Sequence, residues 1–343
     1  MKVGLVGYQG GGKSTVFELL TGVPPDPAKT HSGQVGVATV PDERFDRLVS
    51  LYQPKKIVPA KIELFDTPGL SRDDQSLNAQ RLGVIREAGI LVQVVGAYSG
   101  ADAVAEVSAF IDDMILADLQ VVGKRVEKLK KDVTKPRPDR DDLQAELDAL
   151  LPVAACLDNG QSTCDMEFSE RQEQVVKSFS LLTRKRQLVL LNTVDSEFDS
   201  EVIEKLKAAD SPAIAAPAGL ELEVESLAED ERAEFAAEMG LAEPSRLRLL
   251  RKIFEVTHQI TFYTCAEKEV HAWLLQNGST VLEAADTIHS DLARGFVRAE
   301  IFSSDDLLRL GSERELKAAG LQQVVGKDYV VQDGDEVFIR SGL

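Results

Sequence analysis

Eight consecutive residues, Gly7-Tyr8-Gln9-Gly10-Gly11-Gly12-Lys13-Ser14, have the spacing GxxxxGK[ST]. A glycine-rich turn of this kind brings backbone N–H groups close to phosphate oxygens, because few Cβ atoms hold the ligand away. Gln9, Gly10, Gly11, Gly12 and Thr15 are expected to surround phosphates with backbone N–H groups, Lys13 to neutralise β/γ oxygens, and Ser14 to ligate Mg²⁺. A second group lies further on. Asp66 ends an apolar run, where a carboxylate holds Mg²⁺ through water, and Gly69 in DTPGL offers an unhindered N–H to a γ-phosphate. Alone, DTPG is an ordinary turn; behind a phosphate loop it reads as a switch element. A third group is Asn192-Thr193-Val194-Asp195, at the end of another apolar run. Asp195 there can accept hydrogen bonds from guanine N1–H and N2–H₂, whereas adenine offers only N6–H₂. Thr193 stands where the guanine signature has lysine, so the base, ATP or GTP, stays open. The lesser reading is that Asn192 and Asp195 form a plain strand-end turn.

These groups need elements to position them. KVGLV (2–6) reads as a buried strand, and the apolar periodicity from Ser14 to Thr21 as a helix, so the loop sits between strand and helix as phosphate cradling requires. Further strands are expected at Ile62 to Phe65, Ile90 to Val95 and Gln187 to Leu191. Strands alternating with helices predict an α/β fold with a doubly wound, mostly parallel sheet. Between the last two, Val107, Ile111, Ile115, Val122, Val126 and Leu129 recur every three or four residues, as in one long amphipathic helix. VTKPRPDRDD, with two prolines, ends it, and Leu143, Leu147 and Leu150 resume the spacing, giving an antiparallel helical hairpin. Ser169 and Gln172 predict a capping box for a helix that buries Val175, Val176 and Phe179. From about Thr261, alternating strands around one helix at Val281 to Ile288 predict a small α+β module, with Trp273 and Phe296 in its core and His271 and His289 as structural residues.

The 343 residues carry a net charge of -18 and 43% hydrophobic residues, which excludes a disordered chain and a surface basic throughout. No run of eighteen apolar residues could span a bilayer, and glycines and Lys13 arrive too early for a signal peptide. Cys156, Cys164 and Cys265 lack metal-type spacing, so reduced thiols in the cytoplasm are expected. Acidity is uneven. Residues 121–140 hold eight bases, Lys124, Arg125, Lys128, Lys130, Lys131, Lys135, Arg137 and Arg140, against three acids. This hairpin tip is either a grip for RNA phosphates or a solvated helix face.

Together with the phosphate loop and DTPGL, the segments VGVATVPDERFDRL, ILADLQVVGKRVEKL, SLLTRKRQLVLLNTVD, GFVRAEIFSSDDL and GKDYVVQDGDEVFIR resemble the YchF-type (Obg-like) ATPases of the translation-factor-related GTPases, over nearly the full chain. The resemblance implies a discontinuous P-loop G domain (1–103 and 177–257), a helical hairpin or coiled-coil insertion (104–176) and a C-terminal TGS domain (258–343), the β-grasp, ubiquitin-like fold shared with threonyl-tRNA synthetase. It implies hydrolysis of ATP, often of GTP more poorly, and association with ribosomes. Thr30 in PAKTHSG matches the switch threonine that closes on Mg²⁺ and the γ-phosphate, and Leu70 the place where many GTPases keep a water-orienting glutamine. Leucine cannot polarise water, so slow turnover is expected. Pro217-Ala218-Gly219 occupies the base-contacting loop, with the amides of Ala218 and Gly219 able to serve. Three departures stand out. Gln9-Gly10 replaces the family's Pro-Asn, which removes a potassium ligand; Asp195 replaces its Glu; and Pro217 has no amide to give.

The leading expectation is a Mg²⁺-dependent P-loop NTPase acting on a purine nucleoside triphosphate, catalysing through Lys13, Thr30 and Gly69 at the position followed by Leu70, and switching a hairpin and TGS module toward the ribosome and its rRNA. No membrane or DNA partner is expected. The alternative is a nucleotide-gated adaptor with negligible hydrolysis. A small-molecule kinase is disfavoured because no lid or acceptor pocket accompanies the switch motifs.

Overall fold

The computed structural model describes residues 2–99, 102–195, 200–209, 211–241 and 244–342. Its strands are β1 (Lys2–Val6), β2 (Gln34–Thr39), β3 (Lys56–Val58), β4 (Lys61–Asp66), β5 (Ile90–Gly96), β6 (Gln187–Asn192), β7 (Ala213–Ala216), β8 (Gln259–Cys265), β9 (Glu269–Gln276), β10 (Phe296–Ser303), β11 (Gln323–Val325) and β12 (Asp335–Ser341). The chain divides into two compact units, Met1–Val37 with Glu63–Leu249, and Ala38–Ile62 with Leu250–Leu343.

The first unit is a P-loop α/β domain. Its sheet has the order β2-β4-β1-β5-β6-β7, with β4, β1, β5, β6 and β7 mutually parallel. Every residue of β5 is buried, as a central strand covered on both faces requires. The chain leaves β1 for β4 on one side and returns to β5 on the other, so the C-terminal end of β1 is the switch point of strand order.

The hairpin follows β5. Its long helix, Ala103–Asp132, spans 30 residues and is capped by the Asp102 carboxylate, which accepts from the N–H groups of Val104 and Ala105 at 3.0 and 3.1 Å. A second helix, Arg140–Asp158, packs against it through Leu147, Leu150, Val153 and Leu157, facing Ile115, Val122, Val126 and Leu129. Pro152 lies inside this second helix. Gln172 accepts from the Ser169 N–H at 3.0 Å at the start of Glu170–Lys177, which buries Val176 and leaves Val175 partly buried; the helix ends before Phe179, which packs partly buried from the turn beyond it. Asp118, fully buried on the long helix, pairs with Arg86 at 2.6 Å and accepts from the N–H groups of Leu182 and Thr183, pinning the return toward β6.

The second unit is a β-grasp module with the sheet order β11-β10-β12-β8-β9-β3, in which β12 and β8 run parallel between antiparallel neighbours. The helix Val281–Ile288 lies in its core, started by a capping box of Thr280 and Glu283. Trp273 and Phe296 pack against that core, and the Trp273 indole N–H donates to Thr264 Oγ1 at 3.0 Å. His271 stacks on Trp273 and meets Glu269 at 3.1 Å, while His289 accepts from the Asp291 N–H at 3.1 Å. Residues 38–62, placed with the phosphate-loop domain on sequence, contribute β3 and the helix Glu43–Tyr52 to this unit. Phe45 of that helix stacks on Tyr263 of β8, and β3 adds itself in parallel to β9. No described helix is long and apolar enough to cross a membrane.

Candidate functional site

The loop leaving β1 enters the helix Lys13–Thr21 through Gly12, whose φ of 88° lies in the left-handed region. A Cβ there would overlap the Asn192 amide, so glycine is required twice over. Asn192 closes the end of β6 onto this loop. Its Nδ2 donates to the Gly11 carbonyl at 3.4 Å, and its Oδ1 accepts from the Ala218 N–H at 3.2 Å, at the first residue of the helix Ala218–Ser226.

Lys13 is 7% exposed, and its ammonium donates to the Tyr8 carbonyl at 2.8 Å. Burial pushes its pKa down to about 8, against the opposing charges of Asp66 and Glu106. Ser14 Oγ donates to Asp66 Oδ2 at 2.7 Å, while Asp66 Oδ1 is buried with no hydrogen-bond partner. Burial raises the Asp66 pKa, opposed by the Ser14 bond and the Lys13 charge. Gly69 approaches so closely that a Cβ would lie 2.6 Å from Lys13 Nζ and 3.0 Å from the Gln9 nitrogen. A cavity of about 490 Å³ is lined by Gln9, Gly10, Lys13, Ser14, Thr30, Asp66 and Gly69, with Lys29 and Arg81 adding positive charge. Thr15 stands in the first turn of the following helix.

Several expected residues sit otherwise. Leu70 is fully buried among Val6, Tyr8, Leu82 and Phe110, so its side chain belongs to the core and does not line the cavity. Its backbone pairs with the loop: Leu70 N–H donates to the Gly7 carbonyl at 3.0 Å, and the Gln9 N–H donates to the Leu70 carbonyl at 2.8 Å. The Gln9 N–H is therefore engaged within the protein rather than turned to a phosphate. Thr30 lines the cavity, but its hydroxyl donates to the Pro27 carbonyl at 2.8 Å within its own turn. The base-side residues Asn192, Asp195, Ala218 and Gly219 lie outside the phosphate cavity lining, and the Asp195 carbonyl accepts from Thr193 Oγ1 at 2.8 Å. Residues 196–199 beyond Asp195 lie outside the described residues.

Sequence reasoning missed three side chains around this loop. The Tyr98 hydroxyl donates to the Gly10 carbonyl, Arg81 lines the cavity, and Tyr8 carries its ring onto the long hairpin helix. Only Tyr98 had a positional signal, two residues past the C-terminal end of β5.

A phosphate loop at the switch point of a parallel sheet, with a serine–carboxylate pair beside its lysine and a glycine of the next strand's turn closing over it, defines a P-loop nucleotide-binding protein of the GTPase class. Residues 2–124 match the family model described as a 50S ribosome-binding GTPase, and residues 259–341 match YchF-GTPase_C, described as a protein of unknown function. The chain belongs to the YchF family: it is 31% identical to the "Ribosome-binding ATPase YchF" of Bacillus subtilis (strain 168), with 100% of both chains covered. It is 30% identical to the protein of the same name from Escherichia coli O157:H7, over 97% of each chain. The solved structure of the Schizosaccharomyces pombe YchF GTPase shares the fold, with a TM-score of 0.83 at 24% identity over 99% of this chain and 97% of that one.

Proposed function

We propose that this chain is a Mg²⁺-dependent purine nucleoside triphosphatase of the cytoplasm, slow in turnover, whose nucleotide state governs binding to the ribosome. The observation that carries the catalytic reading is the grouping of Lys13, Ser14 and Asp66 on one cavity, with Asp66 Oδ1 left buried and unpartnered. A buried carboxylate oxygen without a hydrogen bond beside a serine hydroxyl suits a hard cation that takes oxygen ligands. Ser14 and Asp66, with Thr30 closing from its loop, would hold Mg²⁺, which when bound supplies charge neutralisation at the phosphates. Lys13 binds the β/γ oxygens, Gly69 and the amides of Gly10, Gly11 and Gly12 orient them, and Asn192, Asp195, Ala218 and Gly219 stand on the side of the base. Because Leu70 lies in the core, no side chain at that position orients the attacking water, and slow hydrolysis follows.

The relatives' names support the ribosome as partner. Within the basic hairpin tip, Arg125 bonds Glu146 at 2.7 Å, Lys135 bonds Asp132 at 3.0 Å and Arg137 bonds Asp139 at 3.0 Å. Lys124, Lys128 and Lys131 are exposed, make no ion pair among the described residues and share one helix face, which suits them to rRNA phosphates.

Single-turnover phosphate release, with Lys13→Ala as control, tests the enzyme reading with ATP and GTP side by side. Release well above the control supports it. Release no faster than the control would leave the second reading, a nucleotide-gated adaptor, which the core position of Leu70 favours.

A further inference from the structure

One face of the long hairpin helix is bonded to the phosphate loop and to the segment after DTPGL. The Tyr8 hydroxyl donates to Asp113 Oδ2 at 2.8 Å, and the Tyr8 ring meets Phe110 edge-on with centroids 5.9 Å apart. The Arg72 guanidinium lies over the same ring, 4.6 Å from its centroid, and pairs with Glu106 at 2.6 Å. Glu106, Phe110 and Asp113 follow the i, i+4, i+7 spacing, so three successive helical turns are held by two residues. Glu106 is 8% exposed and needs a cation; Arg72 is half exposed and can leave.

The same two residues reach the phosphate machinery. Lys13 donates to the Tyr8 carbonyl at 2.8 Å, and Leu70, two positions before Arg72, exchanges backbone bonds with Gly7 and Gln9 on either side of Tyr8. A triphosphate at the loop would take the Lys13 ammonium for its own oxygens, leaving the Tyr8 carbonyl without its donor and drawing on the turn that leads to Arg72. A ligand shifts a conformational equilibrium only through contacts that differ between the two states, and the Lys13–Tyr8 bond would be such a difference.

We propose that Tyr8 and Arg72 form a latch that reports nucleotide at the phosphate loop to the helical hairpin, with Tyr8–Asp113 and Arg72–Glu106 as the bonds that are remade. The proposal deepens the reading given above and rests on nucleotide binding at the loop.

Two variants test it: Arg72→Gln/Glu106→Gln, which removes both charges so that no buried carboxylate is stranded, and Asp113→Leu, which keeps the approximate shape but has no oxygen to accept the Tyr8 hydroxyl. Amide hydrogen exchange over residues 104–114 is compared with and without non-hydrolysable ATP and GTP analogues, and affinity is measured in parallel by calorimetry. In the wild type, nucleotide should change exchange over this stretch by about fivefold or more, the lower end of ordinary site-to-site coupling. In the variants the change should fall below about twofold, with the dissociation constant of the Asp113 variant within about threefold of wild type. Variants that retain the full change, or a wild type that binds nucleotide with no change at residues 104–114, would overturn the latch. A wild type that binds neither analogue removes the nucleotide reading itself, and the latch with it.

Discussion

The depressed pKa of Lys13 makes nucleotide binding a proton-coupled event. In the free protein burial holds this lysine near 8, with Asp66 and Glu106 opposing. Phosphate oxygens beside the ammonium favour its charged form and return it toward the ordinary value near 10.4. The bound state thus has the higher pKa. Affinity is fully developed below pH 8 and is lost as pH rises above it, because the free protein gives up a proton that binding must restore. For a free-state pKa of about 8, affinity falls about 25-fold between pH 7.5 and 9.5, close to 2 kcal/mol. At pH 8.5 about three-quarters of a proton is taken up per nucleotide bound. Calorimetry in two buffers of different ionisation enthalpy reads that number directly, because the observed heat shifts in proportion to the protons exchanged. Lys13→Ala should bind more weakly, with neither pH dependence nor uptake in this range. If wild-type affinity stays flat to pH 9.5 with no proton uptake, while Lys13→Ala still weakens binding, then Lys13 is not desolvated as argued and the reasoning fails.

Three further outcomes are expected. Leu70→Gln places an amide in a core with no hydrogen-bond partner, so urea unfolding should show a loss of about 2–4 kcal/mol, with no gain in phosphate release; faster turnover would mean that this position faces the nucleotide after all. Burial pushes the Glu336 pKa up to about 8, with Tyr52 bonded to one oxygen at 2.8 Å and the other oxygen unpartnered. Its folded-state value lies above its unfolded one, so it disfavours the fold increasingly as pH rises from about 4.5 to 8; Glu336→Gln should flatten the fall in melting temperature between pH 5 and 8, and an unchanged slope would refute the assignment. Changing Lys124, Lys128 and Lys131 to glutamine should reduce the salt slope of ribosome binding by about 2–3 with nucleotide affinity intact, the slope expected for three lost phosphate contacts; sedimentation with ribosomes at graded salt measures it.

What the sequence disclosed, it disclosed locally. The β1–loop–helix passage, the Ser169–Gln172 cap and the helix Val281–Ile288 are signalled within a few residues of themselves, and each appears where its pattern places it. β2 is obscured because its valines, Val35 and Val37, lie on the exposed face while Gln34, Gly36 and Ala38 are the buried positions, so apolar residues do not mark the side that is covered. β3 has three residues, and its partner β9 is more than two hundred positions away, so nothing nearby marks it. At the site, glycine and lysine spacing located the phosphate cavity, but Tyr8 occupies a position the motif leaves free. Its role is set by Phe110 and Asp113, about a hundred residues later. Leu70 was legible as a residue unable to polarise water, yet the direction of its side chain depends on the packing of Leu82 and Phe110 behind it.

The course of residues 38–62 has a consequence for how the chain is made and cut. Phe45, Leu48 and β3 emerge from the synthesising ribosome some two hundred residues before β8 and β9, which they cover or extend. At translation rates of roughly 5–20 residues per second they wait on the order of ten to forty seconds for a partner. A fragment ending at Leu249 would leave them waiting permanently, with an apolar helix face uncovered and a strand edge unpaired. Isolating the nucleotide domain therefore calls for removal of the C-terminal part and an excision of residues 40–60 with a short bridge from Thr39 to Lys61, which leaves β2 and β4 whole.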